Sequence, residues 1–402
     1  MSKVNRFGWA AAATLAACTA FSAPIYAQQD STPAEQPLML ALDKEGVGQT
    51  LKENRLDIYG HIEGGWTHAF NDPANNLVLG RVFDIEHDDP TLNQIDLNVE
   101  RKVDLHKGGF DWGGRVEFLY GGDARFIHAN GMFDSDDFFS GPDNQFDIPQ
   151  LYADFAIPVG DNALRLRVGK FLFFKQIDPN ASVFYSHSYT FGAALPFTLS
   201  GASLYYEMGD NWGFEAGVNR GWGQALEDNN DSWSYHGRAT YKAGERTTIS
   251  LLGITGPELD DNEHDWRTAF DFVVRHQLND KLTLLLDTVY GWQNNGPKPS
   301  GGTGDSAWYG VAGYGVYAIN EKLSAAGRLE WFHDEGGFTT GVDQNLYEAT
   351  LGVTITPFAG DTLKQNLKIR PEIRYDYSDS DFFDGLKSNS QFTFGVDAIF
   401  NF

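Results

Sequence analysis

The feature that most restricts this chain is an alternation of period two, which runs with interruptions from Leu56 to the last residue, Phe402. Leu56, Ile58, Gly60, Ile62, Gly64 and Trp66 alternate with Asp57, Tyr59, His61, Glu63 and Thr67. Successive side chains of an extended strand face opposite sides, so one face here suits lipid and the other suits water. The pattern returns at Ile95, Leu97 and Val99 against Asp96, Asn98 and Glu100, and again at Leu164, Leu166 and Val168 against Arg165 and Arg167. Ile369, Ile373 and Tyr375 alternate in the same way with Arg370, Glu372 and Arg374. About sixteen such segments can be counted, each near the roughly 10 residues that a tilted strand needs to cross a membrane. Outside the N-terminus no apolar run approaches the roughly 18 residues of a membrane helix. A chain with 14% aromatic residues and 44 glycines that is nevertheless polar on average fits strands with one greasy and one wet face. The expected fold is all-β: a transmembrane antiparallel β-barrel of about 16 strands, with short periplasmic turns and long extracellular loops.

The connections carry a second signal. Gly209-Asp210-Asn211, Gly244-Glu245, Asn279-Asp280-Lys281 and Asn320-Glu321-Lys322 read as tight hairpin turns. Long loops are expected between them at 69–91, 122–146, 175–195, 223–232, 296–306, 334–345 and 378–389. Short turns on one side and long loops on the other place both termini in the periplasm and make the strand count even. A soluble sandwich also has many strands but needs no such regular alternation of loop lengths. Trp66, Trp112, Tyr120, Trp212, Trp222, Trp266, Trp292, Trp308, Tyr317 and Trp331 stand near strand ends, where they are expected to form the two aromatic girdles.

The final segment is the clearest. Phe392, Phe394, Val396, Ala398, Phe400 and Phe402 share one face, against Thr393, Gly395, Asp397 and Asn401, with Ile399 the exception. A last strand ending on Phe402 resembles the C-terminal signature that outer-membrane proteins present to the barrel assembly machinery. At the other end, residues 1–27 read as a cleavable export signal: Lys3 and Arg6, an Ala-rich core from Trp9 to Ala17, and a small residue at Ala27. Leu15-Ala16-Ala17-Cys18 is the rival reading, a lipoprotein signal with Cys18 lipidated. Residues 28–54 are expected to be a periplasmic leader, in which Leu38, Met39, Leu42 and Leu51 mark one face of a short helix or of a plug, and residues 55–402 the barrel.

Several stretches resemble the OmpL-like, porin-2 type family of outer-membrane β-barrel porins. They are Ile58-Tyr59-Gly60-His61-Ile62-Glu63-Gly64-Gly65, Asn71-Asp72-Pro73-Ala74-Asn75-Asn76, Asn98-Val99-Glu100-Arg101, Gly121-Gly122-Asp123-Ala124-Arg125, Phe184-Tyr185-Ser186-His187-Ser188-Tyr189 and Asn219-Arg220-Gly221-Trp222. The resemblance spans about Leu56 to Phe402. It implies a porin integral to the bacterial outer membrane and names no substrate.

About sixteen strands leave room for an aqueous channel, so inward positions should be polar. The expected pore-lining charges are Glu63, Glu100, Arg115, Glu117, Asp154, Arg165, Arg167, Arg238, Asp271, Arg275, Arg328, Glu330, Arg370, Glu372, Arg374 and Asp397. They either segregate into a transverse field or pair across neighbouring strands. The loop from Lys175 to Leu195, after the fifth segment, is expected to fold inward as the pore constriction, because Phe184, Tyr185, His187 and Tyr189, behind Asp178, sit poorly on a solvated tip. Contact with a neighbouring protomer is the alternative for that aromatic run.

Acidic clusters (Asp134, Asp136, Asp137, Asp143; Glu227, Asp228, Asp231; Glu258, Asp260, Asp261, Glu263, Asp265) are expected in external loops. With a formal charge of -25 they favour cations and neutral solutes and disfavour nucleic acid. No catalytic motif, cofactor or metal spacing is found; Ser186, His187 and Ser188 are adjacent in sequence, which is not triad geometry. The expected activity is passive diffusion of small hydrophilic solutes and ions. The alternatives are a substrate-selective channel, or a structural or adhesive barrel with a filled lumen. The expected partners are outer-membrane lipid, lipopolysaccharide, the assembly machinery, the solutes themselves and further copies of the chain in a homotrimer.

Overall fold

The computed structural model describes residues 37–402 except 74, 135–140, 161, 176 and 360–365. The signal region with Cys18, the leader before Pro37, and Asp136 and Asp137 therefore lie outside the described residues. Sixteen strands form one closed barrel in which each strand pairs with its sequence neighbours and the first pairs with the last. They are β1 (Leu56–Ala69), β2 (Thr91–Arg101), β3 (Asp111–Gly121), β4 (Gln145–Val159), β5 (Asn162–Leu172), β6 (Thr198–Met208), β7 (Trp212–Asn219), β8 (Ser234–Lys242), β9 (Thr247–Leu259), β10 (Asn262–Gln277), β11 (Leu282–Pro297), β12 (Thr303–Asn320), β13 (Leu323–Glu335), β14 (Gln344–Ile355), β15 (Leu367–Ser378) and β16 (Ser390–Asn401). Closure pairs the first strand with the last along the seam, which is what a spanning sheet requires where no water can hydrogen-bond the backbone.

The seam is antiparallel, from His61 opposite Asn401 to Ala69 opposite Thr393. Gly60 and Phe402 extend it by exchanging backbone hydrogen bonds at 3.0 and 2.9 Å. Only glycine fits at position 60: a Cβ there would lie 2.0 Å from the Asp96 carbonyl oxygen and 2.9 Å from the Phe402 ring. Beyond the seam β1 runs on past the end of β16. There α1 (Pro37–Lys44) and α2 (Gly48–Glu53) occupy part of the expected leader, and the fully buried Met39 accepts the Ile58 N–H on its sulfur at 3.3 Å. A helix thus covers an otherwise open strand edge.

The two faces sort as the alternation implies. Ile62, Leu204, Phe272, Leu351 and Ile373 are exposed on the outside, whereas Glu63, Ser203, Asp271, Thr350 and Arg374 are buried inside. Ile399 is the inward exception on the last strand and is fully buried. Two girdle assignments are corrected. Trp308 points inward with no exposure and donates its Nε1–H to the Ala194 carbonyl at 3.1 Å. Trp222 stacks edge-on against Trp308 at 6.3 Å beneath the Arg267 guanidinium. Trp112, Trp212, Trp266 and Tyr317 are exposed, as a girdle requires.

Loop lengths also differ in places. Glu258 to Asp265 is the tip of a tight β9–β10 hairpin turning at Asp260 and Asp261, not an extended loop, and β11 and β12 run into what reads as loop between 296 and 306. Two connections on the short-turn side, 102–110 and 356–366, are longer than tight turns.

Candidate functional site

The third long connection, L3 (residues 173–197), leaves β5, turns into the barrel and returns to β6. Its own sequence builds the turns. Asp178 accepts the Asn180 N–H at 2.8 Å and, with Pro179 next, starts a single 3₁₀ turn over Pro179–Ala181. Ser188 accepts the Phe191 N–H at 3.2 Å and caps the short α3 (Tyr189–Gly192).

The barrel wall supplies the rest in matched pairs. Glu372 on β15 accepts the consecutive amides of Tyr185 (2.8 Å) and Ser186 (3.1 Å). Glu330 on β13 does the same for Tyr189 (2.9 Å) and Thr190 (2.7 Å). Arginines take the carbonyls: Arg328 reaches Ser186 at 2.9 Å, Arg374 reaches His187 at 2.6 Å, and Arg370 reaches both Pro179 and Ser182 at 2.8 Å. Lys175, at the start of the loop, lies 3.4 Å from Asp271 and 3.1 Å from Asp287. A backbone brought into the barrel must satisfy its polar groups there, and these charged hydrogen bonds do so.

This geometry corrects the reading of Asp271, Arg328, Glu330, Arg370, Glu372 and Arg374 as charges facing open lumen. They point inward, but L3 covers them, and none is more than 5% exposed. Elsewhere on the wall Arg115, Arg167 and Arg238 remain partly exposed and Glu117, Asp154 and Arg165 are buried; Glu63 is buried 3.5 Å from Arg370, and Arg275, on β10 with Asp271, is half-buried. Opposite charges pair: Arg167 holds Asp154 on the neighbouring strand through two bonds of 2.8 Å, Arg238 lies 2.7 Å from Glu215 on the neighbouring strand, and Arg115 lies 2.9 Å from Glu117 two residues along β3 itself. Pairing, not segregation into two opposed walls, is therefore the arrangement of these charges.

Phe184, Tyr185 and Tyr189 of the aromatic run are buried, and His187 is half-buried. Phe184 lies under the Arg328 guanidinium at 5.2 Å. The Tyr185 ring occupies the space over Gly65, where a Cβ would come within 2.2 Å of it, and its hydroxyl donates to Asn93 at 3.2 Å. Tyr189 donates its hydroxyl to Asp376 at 2.7 Å. His187 stacks on Phe191 at 4.2 Å and meets Phe83 edge-on at 5.2 Å, so its ring faces aromatics rather than a serine hydroxyl. Burial, reinforced by Arg370, Arg328 and Arg374, holds that imidazole well below its usual pKa and keeps it neutral. Asp376 and Glu348, which the sequence does not single out, belong to the same constellation, as does Trp308, which reads as a girdle residue. The first two share the inward parity of Arg374 and Thr350, which is the signal that would have found them.

Among the described residues one group, His68, His87 and Asp88, brings three metal-type ligand atoms within 4.8 Å of one another. The Ala69 amide donates to His87 Nδ1 at 3.0 Å, so in the neutral ring Nε2 carries the proton and faces Asp72 at 3.3 Å. The group is thus set up as a hydrogen-bonded histidine–carboxylate cluster.

Comparison with known proteins agrees with this architecture. The family model described as Putative beta-barrel porin-2, OmpL-like matches residues 55–402. No curated protein matches the chain. Among solved structures, the anion-selective porin from Comamonas acidovorans is similar at 12% identity with a TM-score of 0.60, over 86% of this chain and 99% of that one. Salmonella typhi OmpF, in complex with daunomycin, is similar at 12% identity and a TM-score of 0.58, over 87% and 98% of the two chains. Vibrio cholerae OmpT in its trimer form is similar at 14% identity and a TM-score of 0.54, over 86% and 99%.

Proposed function

The chain belongs to the Putative beta-barrel porin-2, OmpL-like family and is a porin, and from that premise we propose how its channel selects. Small hydrophilic solutes and ions diffuse passively through the lumen, past a constriction formed by L3. The observation that carries this is the double anchoring of that loop. Two carboxylates, Glu330 and Glu372, each bind a pair of successive amides, and Arg328, Arg370 and Arg374 bind its carbonyls, so the loop is fixed at one place inside the barrel.

Export by a cleaved signal, insertion into the bacterial outer membrane beside lipopolysaccharide, and assembly as a homotrimer complete the proposal. The resemblance in fold to OmpT, solved in a trimer form, supports the last. The acidic external loops give the mouth a preference for cations. No catalytic step is assigned.

Planar-bilayer recording of the purified, folded protein tests the proposal. We expect discrete conductance steps and a cation-selective reversal potential in a salt gradient. Folded protein that never conducts would refute the channel, and an anion-selective reversal potential would refute the preference.

A further inference from the structure

The first long connection, L1 (residues 70–90), also enters the barrel. Leu77 bridges Glu86 and the Val78 amide bonds the Ile85 carbonyl at 2.8 Å, making a small hairpin whose tip is Leu79 to Asp84. Arg81 on that tip has a side chain only 1% exposed. Its guanidinium donates to Asp376 on β15 at 3.0 Å and to Thr393 on β16 at 2.9 Å.

Two residues on, Phe83 is turned the other way. It packs with Leu119 at the end of β3 and Leu172 at the end of β5, and its ring meets Phe126 at 5.8 Å and Phe197 of L3 at 5.7 Å. Between them Val82 lies against Gly192 of L3, where a Cβ would meet it at 2.8 Å. Three consecutive residues therefore tie β15 and β16, the inward loop L3, and β3 and β5 to one another. A segment with those contacts crosses the inside of the barrel packed against L3.

Phe83 does this with φ = +78°, a left-handed conformation that costs a bulky side chain free energy and persists only where surrounding contacts enforce it. An external loop with no role inside the barrel would more readily carry glycine or asparagine at such a position.

We infer that the L1 tip, through Arg81 and Phe83, is a second constriction element that sets the size limit of the channel together with L3. The inference rests on the porin reading. Arg81 shares the Asp376 carboxylate with Tyr189 of L3, and Phe83 meets His187, Phe191 and Phe197 of L3, so the two loops narrow the path together.

Three variants test this in planar bilayers, with heat-modifiable migration on gels confirming a folded barrel. Phe83→Gly removes the ring and suits the positive φ, and Arg81→Gln releases the tip from Asp376. Conductance should rise about twofold or more in each, and the cut-off for neutral polyethylene glycols should move to larger polymers, because a wider path admits more water and ion. Val82→Cys keeps the tip in place, and a methanethiosulfonate reagent added from the external side should cut its current.

A conducting wild type with conductance and cut-off unchanged in both variants, and with no effect of the thiol reagent, would overturn the inference and leave the porin reading standing. Silence of the wild type and all variants would overturn both. Should Phe83→Gly or Arg81→Gln fail to fold, the Val82→Cys modification decides alone.

Discussion

Glu372 accepts the backbone amides of Tyr185 and its neighbour Ser186 on its two carboxylate oxygens, and the Tyr185 bond is 2.8 Å long between residues 187 positions apart in the chain. Bonds to an ionised acceptor contribute roughly 1.5–3 kcal/mol each, more than neutral ones. Glu372→Gln keeps the shape but offers one neutral oxygen, so L3 should be held less firmly. We expect a higher mean conductance and a noisier open level, read from single-channel traces. Traces indistinguishable from wild type would show that Glu372 does not hold the loop.

Removal of Val183 to Tyr189 is the stronger version of that experiment. The segment contains Phe184, Tyr185 and Tyr189, all nearly fully buried, together with both amides that Glu372 binds and one of the two that Glu330 binds. Without it the β13 and β15 charges face water, and the wall becomes the polar lining it resembles in sequence. Single-channel conductance should rise. An unchanged value would sink the constriction role of L3.

Gly65 offers a way to move the loop without touching it. A Cβ at this inward position on β1 would lie 2.2 Å from the Tyr185 ring. Gly65→Ala should therefore push Tyr185 aside, break its hydroxyl bond to Asn93, and alter conductance while the barrel still closes between β1 and β16. If the channel is unaffected while gel migration shows a folded barrel, Tyr185 does not narrow the path.

Strand faces were legible because lipid and water make opposite demands on alternate residues, as with Ile373 and Tyr375 outside and Glu372 and Arg374 inside. What covers an inward charge is not local information. Glu372 reads as a pore charge until Tyr185, far away in the chain, is placed on it. The alternation also fails where the inner wall is itself apolar. Leu252, Ile254, Val273, Val289 and Phe332 face inward beneath L3, so β9 to β13 carry apolar residues on both faces. Trp308 sits among them and passes for a girdle residue. The inward fold of L1 left a weaker trace, since apart from Phe70 at its start Phe83 is the single phenylalanine in a loop rich in Asp and Asn.

The same L1 tip should make conductance fall in acid. Burial pushes the Asp84 carboxyl up to about 7; Arg81 and Arg374 oppose that shift and Glu372 adds to it. In an undocked, solvated loop the group would titrate near the ordinary value of about 3.9. The docked state therefore binds the proton more tightly. Its docking is most favourable below the lower value, and that gain is lost as pH rises through the upper one. Lowering pH from about 8 to about 5 should thus hold L1 in place and reduce the current. Asp84→Asn should flatten the profile, though not wholly, because burial also raises Asp123 to about 7 against its bonds from Gln94 and Asn93. A wild-type conductance independent of pH over this range would contradict the assignment.

Ion preference should originate at the mouth rather than along the wall. The wall charges are largely paired, as between Arg167 and Asp154 or Arg115 and Glu117, so they contribute little net field. The chain nevertheless has 55 acidic residues against 30 basic ones. At the tip of the β9–β10 hairpin Asp260, Asp261 and Glu263 are exposed side by side. Asp261 stands at φ = +53°, which asparagine tolerates, so Asp260→Asn, Asp261→Asn and Glu263→Gln can be combined without straining the turn. Exposed charges act over about 10 Å at 0.1 M salt and about 3 Å at 1 M. The triple variant should accordingly shift the reversal potential toward zero in dilute salt and have almost no effect in concentrated salt. A shift of equal size at both salt concentrations would place the selecting charges inside the channel, where screening is weaker, and not on this hairpin.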